Sequence, residues 1–229
     1  MKYGKLIVVE GTDCSGKETQ TNLLIERLTK EKIPVSKYSF PNYNSPTGKI
    51  IGGPYLGKDY ICEGWFPETA INVDPQVSSL YYAADRKYNI KNILADLSQG
   101  TNVILDRYVY SNMAHQGGKL KTKDERNAMY TWLEKLEFDL LQLPQADIKV
   151  FLHMPYVASL KLKESRIKEE KLDQHESSKE HLINAEKAYL EIAEKFKFHK
   201  IECTNNEDIK TIEEINEELY QYISEILKK

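Results

Sequence analysis

Five short apolar, β-branched runs punctuate the chain: "KLIVVEG" (5–11), "IPVSKYSF" (33–40), "TNVILDRY" (101–108), "ADIKVFLHM" (146–154) and "FHKIECT" (198–204). Runs of that length and composition predict buried strands. Between them the apolar spacing shifts to three and four residues. From Lys17, "KETQTNLLIERLTKE" sets Leu23, Leu24 and Leu28 among charges, which predicts a helix. Ile209, Ile212, Ile215, Leu219, Ile223 and Ile226 predict a last helix over 208–228. Strands alternating with helices imply βαβ units, hence a parallel sheet covered on both faces. Such sheets bind ligands at the carboxyl ends of their strands.

Two stretches break the alternation. Residues 40–75 hold five of the eleven glycines and five of the eight prolines. That density disfavours long helices. The reading is a long excursion over the strand ends, with one short helix near Thr47–Ile51. Residues 161–181, "KLKESRIKEEKLDQHESSKEH", are almost entirely polar. They are expected to leave one helix, cross a mobile loop within about 161–178 and enter another.

Composition narrows the picture without redrawing it. A chain of 229 residues, 41% hydrophobic and 29% charged, suits one α/β domain over 1–229. A net charge of −3 gives no global positive field to recruit nucleic acid or an anionic membrane. Cys14, Cys62 and Cys203 form no metal or disulfide spacing, which fits a reducing cytoplasm. The first apolar run is too short for a signal peptide, and no segment has transmembrane length. His175 and His181 are six apart and make no case for zinc.

The chemistry starts at "VEGTDCSGKETQ" (9–20), which has the frame G-x-x-x-x-G-K of a phosphate-binding loop. Gly11 follows a predicted strand and Lys17 opens a predicted helix. Backbone N–H groups of Gly11, Thr12, Asp13, Cys14, Ser15, Gly16 and Lys17 would cradle phosphates, and Lys17 adds a point charge. The motif normally continues with Ser or Thr, whose hydroxyl ligates Mg²⁺. Here Glu18 stands there, and Thr19 brings the first hydroxyl, within reach of an α-phosphate. Mg²⁺ keeps several waters, so carboxylates can hold it through them. Asp106, ending "VILD", is the expected anchor. Glu18 is either a second one or a first-turn carboxylate favoured by the helix dipole. Glu10 is the next candidate.

The third run continues as "DRYVYSNMAHQ" (106–116). It resembles the pattern D-R-Y-x-x-S-x-x-A-Y-Q of the thymidylate kinase family. Gly11–Lys17, "SLYYAADRKYN" (Tyr82, Ala84, Asp85, Arg86) and "FPNYNSPTGKII" resemble further segments of that family, in a divergent bacterial style. The resemblance implies a three-layer P-loop nucleoside-monophosphate-kinase fold: a five-stranded parallel sheet flanked by helices, with a lid. It also implies transfer of the ATP γ-phosphoryl group to dTMP, Mg²⁺ as cofactor, and a homodimer. By the same resemblance Arg107 touches the acceptor phosphate and the transferred group, and Asp13 bonds the sugar 3′-hydroxyl. Tyr82 stacks on thymine, Arg86 bonds its O4, Gln116 meets the base edge, and Ser111 supports the site.

The sequence departs from the family at three places. Tyr43 stands where the family has a phosphate-gripping arginine, leaving Lys49 or Arg107 to compensate. His115 replaces the tyrosine that guards the 2′ side of the sugar. Cys14 replaces a loop arginine found in some members, which points to Arg166, Lys168 and Lys171 in the lid segment, Arg166 foremost as a catalytic group. Two other readings stay open: a kinase for another pyrimidine nucleotide, and a non-catalytic phosphate-loop binding module.

Overall fold

The computed structural model describes residues 3–166, 178–206 and 208–228. Strand β1 (Leu6–Gly11) is buried along its whole length. Alternation by two sends Leu6 and Val8 into one core and Ile7 and Val9 into the other. A strand apolar on both faces needs helices above and below it. The sheet order is β2-β3-β1-β4-β5, all pairings parallel, with β2 Val35–Ser39, β3 Asn102–Asp106, β4 Ile148–His153 and β5 His199–Glu202. The five expected strands and the three-layer arrangement are therefore present.

One face is covered by α3 (Pro75–Ser98), α4 (Val109–Gly117), α5 (Lys123–Glu134) and α7 (Lys179–Lys195), which contribute Ile93, Met113, Leu133 and Ile192 among others. The other is covered by α1 (Lys17–Lys30), α6 (Tyr156–Arg166) and α8 (Ile212–Leu227) through Leu24, Leu28, Ala158, Leu219 and Ile223. Each fully buried Leu or Ile adds roughly 1.5–3 kcal/mol. The helices start where capping chemistry says they should. Asp74 accepts from the Gln76 and Val77 N–H groups ahead of Pro75, and Thr122–Glu125 and Thr211–Glu214 are reciprocal capping boxes.

The last helix departs from its expected bounds. Residues 204–209 form a small antiparallel hairpin, β6 (Thr204–Asn205) with β7 (Asp208–Ile209), and α8 starts only after Thr211. Ile209 happened to fit the helical period but packs on the core from a strand. In the excursion over 40–75, α2 spans Pro46–Ile50 and runs directly into a π-helical turn, Ile51–Tyr55, containing Pro54. The polar segment does join two helices, α6 and α7. The side chain of Arg166 and the whole of Lys168, Lys171 and His175 lie outside the described residues.

Candidate active site

Register builds the site. Pairing Val9 with Asp106 and Gly11 with Leu152 gathers Glu10, Gly11, Asp106 and Met154 at one edge of the sheet. The loop after β1 turns through left-handed Cys14 (φ 60°) and Gly16 (φ 72°) before α1 begins. Thr12 pins it to the end of β4: its hydroxyl donates to Met154 O (2.7 Å) and accepts from Met154 N (2.9 Å). Lys17 Nζ donates to the loop carbonyls of Gly11 (2.9 Å) and Thr12 (3.1 Å). Burial pushes its ammonium down to about 8, Arg107 repels it further, and Asp106, Asp13 and Glu10 oppose both. The Ser15 hydroxyl is buried with no hydrogen-bond partner among the described residues. A loop with an under-served lysine and an orphan hydroxyl is set up for an anion.

Arg107 follows β3 at φ 66°, a conformation few non-glycine residues adopt. Its Nη1 donates to the Tyr189 hydroxyl (3.3 Å) and Ser111 Oγ (3.4 Å) and lies 3.5 Å from His115 Nε2. Its Nη2 lies 3.7 Å from Asp13 Oδ1. Burial opposes the charge, but Tyr189, Asp13, Asp106 and Glu10 outweigh it and hold the guanidinium protonated. Glu10 is taken up by the fold. Its carboxylate accepts the Tyr108 and Ser111 N–H groups (2.8 and 3.0 Å) and the Ser111 hydroxyl, closing the start of α4. Burial still raises its pKa. Asp106 is 7% exposed, and its carboxylate accepts no hydrogen bond among the described residues.

Beside the loop lies a cavity of about 320 Å³. Asp13, Tyr43, Tyr82, Arg86, Arg107, Ser111, His115 and Gln116 all line it, and Glu18 enters from α1. Tyr82 and Arg86 share a face of α3. Arg86 is 2% exposed, and its Nε and Nη2 donate to the two oxygens of Glu137, both at 2.5 Å. Both polar atoms of the Gln116 amide, and Asn112 Oδ1, are buried with no partner among the described residues. Leaving such groups unpaired is costly unless a ligand completes them. His115 stacks on His181 with centroids 5.4 Å apart, so His181 is held as a packing partner of the site wall.

The excursion forms the cavity's outer wall by an unusual route. A small cluster of Ile51, Tyr55, Leu56, Ala70 and Val73 holds it together. Asp85 ties it to α3 by accepting from Asn42 N (2.8 Å), Ser45 Oγ (3.0 Å) and Thr47 Oγ1 (2.7 Å). Lys119 reaches back to donate to the carbonyls of Ala70 (2.8 Å) and Val73 (2.9 Å). Lys49, weighed as compensation for Tyr43, is exposed and does not line the cavity; Lys58 does. Glu137, Asn112, Lys58 and Lys119 went unread in the sequence. None sits in a recognisable motif, although Asn112 directly follows Ser111 within the 106–116 segment.

A phosphate loop after β1, strand order 2-3-1-4-5, and an acceptor cavity beside the loop define a P-loop nucleoside-monophosphate kinase. The family model described as thymidylate kinase matches residues 9–215. The chain belongs to the thymidylate kinase family. It is 25% identical over 224 residues to thymidylate kinase of Schizosaccharomyces pombe, covering 97% of this chain and 93% of that one. With the Caldicellulosiruptor saccharolyticus thymidylate kinase it shares 31% over 228 residues, 99% and 98% of the two chains. The human enzyme is 29% identical over 153 residues, 67% of this chain and 62% of that one. Among solved structures, Candida albicans thymidylate kinase superposes with a TM-score of 0.68 at 25% identity, covering 97% of this chain and 92% of that one. Among the described residues no helix is long and apolar enough to cross a membrane.

Proposed function

We propose that this chain transfers the γ-phosphoryl group of ATP to the 5′-phosphate of dTMP, giving dTDP and ADP. A dTMP phosphate oxygen attacks the γ-phosphorus as the bond to the β–γ bridging oxygen breaks. Such transfer rests on positioning and positive charge more than on covalent chemistry by the protein. The loop amides and Lys17 hold the donor phosphates, with Thr19 on the α-phosphate. Arg107 spans the acceptor phosphate and the group in flight. Asp13 takes the 3′-hydroxyl, His115 faces the sugar, Tyr82 stacks on thymine, Arg86 and Gln116 address its polar edge, and Ser111 braces Glu10 and Arg107. Arg166, on the lid helix, supplies the further positive charge that Cys14 does not.

The observation that carries this reading is the gathering of eight acceptor-side residues around one cavity that opens beside the phosphate loop, with an unpartnered amide at Gln116 in its wall. For Mg²⁺ the donor set fits. Asp106, with its carboxylate unclaimed by donors among the described residues, would hold the ion through water, Glu18 would assist, and Glu10, taken by α4, would not. When bound, Mg²⁺ neutralises charge on the ATP phosphates.

Homodimerisation is supported by exposed Val77, Leu80, Tyr88 and Leu94, apolar residues along the outside of α3. A reducing, cytoplasmic setting is supported by Cys14, Cys62 and Cys203, which form no disulfide among the described residues. The test of the activity is ADP formation across dTMP, dCMP, dGMP and dAMP. Turnover is expected to depend on the acceptor and to be fastest with dTMP. A purine nucleotide as best acceptor would sink the reading, as would ADP release indifferent to acceptor, the mark of an uncoupled ATP hydrolase, or no ADP at all, the mark of a binding module.

A further inference from the structure

Two arginines line the acceptor cavity, Arg86 and Arg107. A nucleotide phosphate, close to a dianion at neutral pH, can bond any guanidinium it reaches, whereas the base carries no charge. Which end of the cavity takes the phosphate is therefore decided by what each arginine has left to offer. Arg107 stands beside the phosphate loop, 27% exposed, with Asp13 Oδ1 at 3.7 Å. Its other bonds are long and go to the neutral hydroxyls of Tyr189 (3.3 Å) and Ser111 (3.4 Å). A phosphate oxygen can replace any of them.

Arg86 differs. It is 2% exposed, and its Nε and Nη2 donate to both oxygens of Glu137, a carboxylate with no exposed surface. Burial disfavours the Arg86 charge, and Glu137 outweighs the burial. The two side chains are neutral as a unit. Arg86 can still bond a neutral carbonyl, but a dianion brought to it would also meet the Glu137 carboxylate.

Local geometry puts Glu137 there. Helix α5 buries Met129, Tyr130 and Leu133, and position 137 lies four residues on from Leu133, on the same inward face. There the chain passes into a π-helical turn, Lys135–Leu140, closed by the Leu141 N–H on Leu136 O at 3.0 Å. Such turns recur at functional sites. Asn112 Nδ2 adds a long bond to Glu137 Oε1 at 3.4 Å. Apolar side chains of similar size would serve stability as well as a buried ion pair does. The pair is better explained by its effect on the cavity.

We infer that Glu137, by neutralising Arg86, sets the direction in which the acceptor nucleotide lies: it denies the Arg86 end of the cavity to the phosphate and reserves it for the uncharged base. The inference rests on the function proposed above. Glu137 is a positioning residue, acting through Arg86 on the orientation of the nucleotide.

Calorimetric titration of thymidine into the ADP-loaded chain, with and without inorganic phosphate, tests it, since ADP fills the phosphate loop and leaves the acceptor cavity open. In the parent, phosphate at Arg107 and thymidine at Arg86 should bind together, with thymidine affinity changed by no more than about twofold. In Glu137→Gln the lone Arg86 cation should capture phosphate, which then weakens thymidine on the order of tenfold. The double variant Arg86→Gln, Glu137→Gln, which buries no lone charge, should fold and be indifferent to phosphate again. Urea unfolding checks that each variant is folded. Phosphate that displaces thymidine from the parent overturns the inference, and this arm holds even if Glu137→Gln does not fold. So does a folded Glu137→Gln chain indifferent to phosphate, or competition that persists in the double variant. A parent chain that neither binds thymidine nor phosphorylates dTMP overturns the function itself, whereas a parent that does both, beside a folded and indifferent Glu137→Gln, overturns only the role of Glu137.

Discussion

The two walls of the cavity are held by different physics. The phosphate loop hangs from β1 and β4, strands buried on both faces between two large apolar cores. Residues 40–75 form the other wall around five buried apolar side chains, Ile51, Tyr55, Leu56, Ala70 and Val73. So small a cluster cannot fix a wall by burial alone. Polar ties do the rest: Asp85 gathers Asn42, Ser45 and Thr47, and Lys119 gathers the carbonyls of Ala70 and Val73. The lesson is a division of sensitivity. On the sheet side a polar substitution changes chemistry and leaves the fold standing. On the excursion side it loosens the wall and, through it, the grip on the acceptor.

The largest effect should come from the sheet side. Lys17→Ala and Arg107→Ala are each expected to lower kcat on the order of 10²-fold or more, since in the proposed function both place charge on the transferring group. Lys17→Ala should nonetheless keep Tm within about 3 °C of the parent, because burial already disfavours its charge in the folded chain. Steady-state kinetics beside calorimetry checks both halves. Parent-like turnover in either variant would move the phosphates away from this loop.

Next in size is the excursion. Asp85→Ala removes an acceptor that is 1% exposed and serves several donors. The expected result is a loss of about 2 kcal/mol in urea unfolding and a rise of about tenfold in KM for dTMP, with kcat and KM for ATP within a few-fold. A fall confined to kcat would erase the contrast between the walls.

The contrast also has a pH form. In the proposed function Lys17 holds donor phosphates only when protonated, and its pKa is lowered from 10.5 to about 8. The sign follows: kcat/KM for ATP is steady below that pH and declines as pH rises through it, approaching about tenfold per unit. The decline should start more than two units below an ordinary lysine, and Lys17→Arg should abolish it whatever its absolute rate. A profile flat to pH 10 in the parent would contradict the burial argument.

Smallest is the metal requirement. Asp106→Asn is expected to raise the Mg²⁺ concentration for half-maximal rate by roughly tenfold, whereas Glu18→Gln changes it little. The reverse ranking would make Glu18 the anchor.

The sheet-side wall was legible because its signals are local. An apolar run ending in "EGTDCSGK" states the strand, the turn and the anion loop within a dozen residues. "DRYVYSNMAHQ" carries its six cavity residues on one short turn and helix, so position in sequence maps directly onto position in space. The excursion was legible as a break in the pattern holding one short helix and Tyr43, but the ties that hold it were not. Its ties join residues far apart: Asp85 lies about forty positions from Ser45, and Lys119 forty-nine from Ala70. Glu137 is a glutamate in an ordinary helical stretch, "EKLEFDLL", until α3 brings Arg86 to it. Ile209 misled because the hairpin's alternation happened to coincide with a helical step.

The central claim is that one cavity takes dTMP with its base at Gln116 and its phosphate between Arg107 and the excursion. A crystal structure with dTMP and a non-hydrolysable ATP analogue tests it most directly. The account predicts the thymine edge within hydrogen-bond distance of the Gln116 amide, the 5′-phosphate on Arg107, and the analogue's terminal phosphate in the loop beside Lys17. A dTMP seated with its base toward Lys17, or outside the cavity, would contradict it.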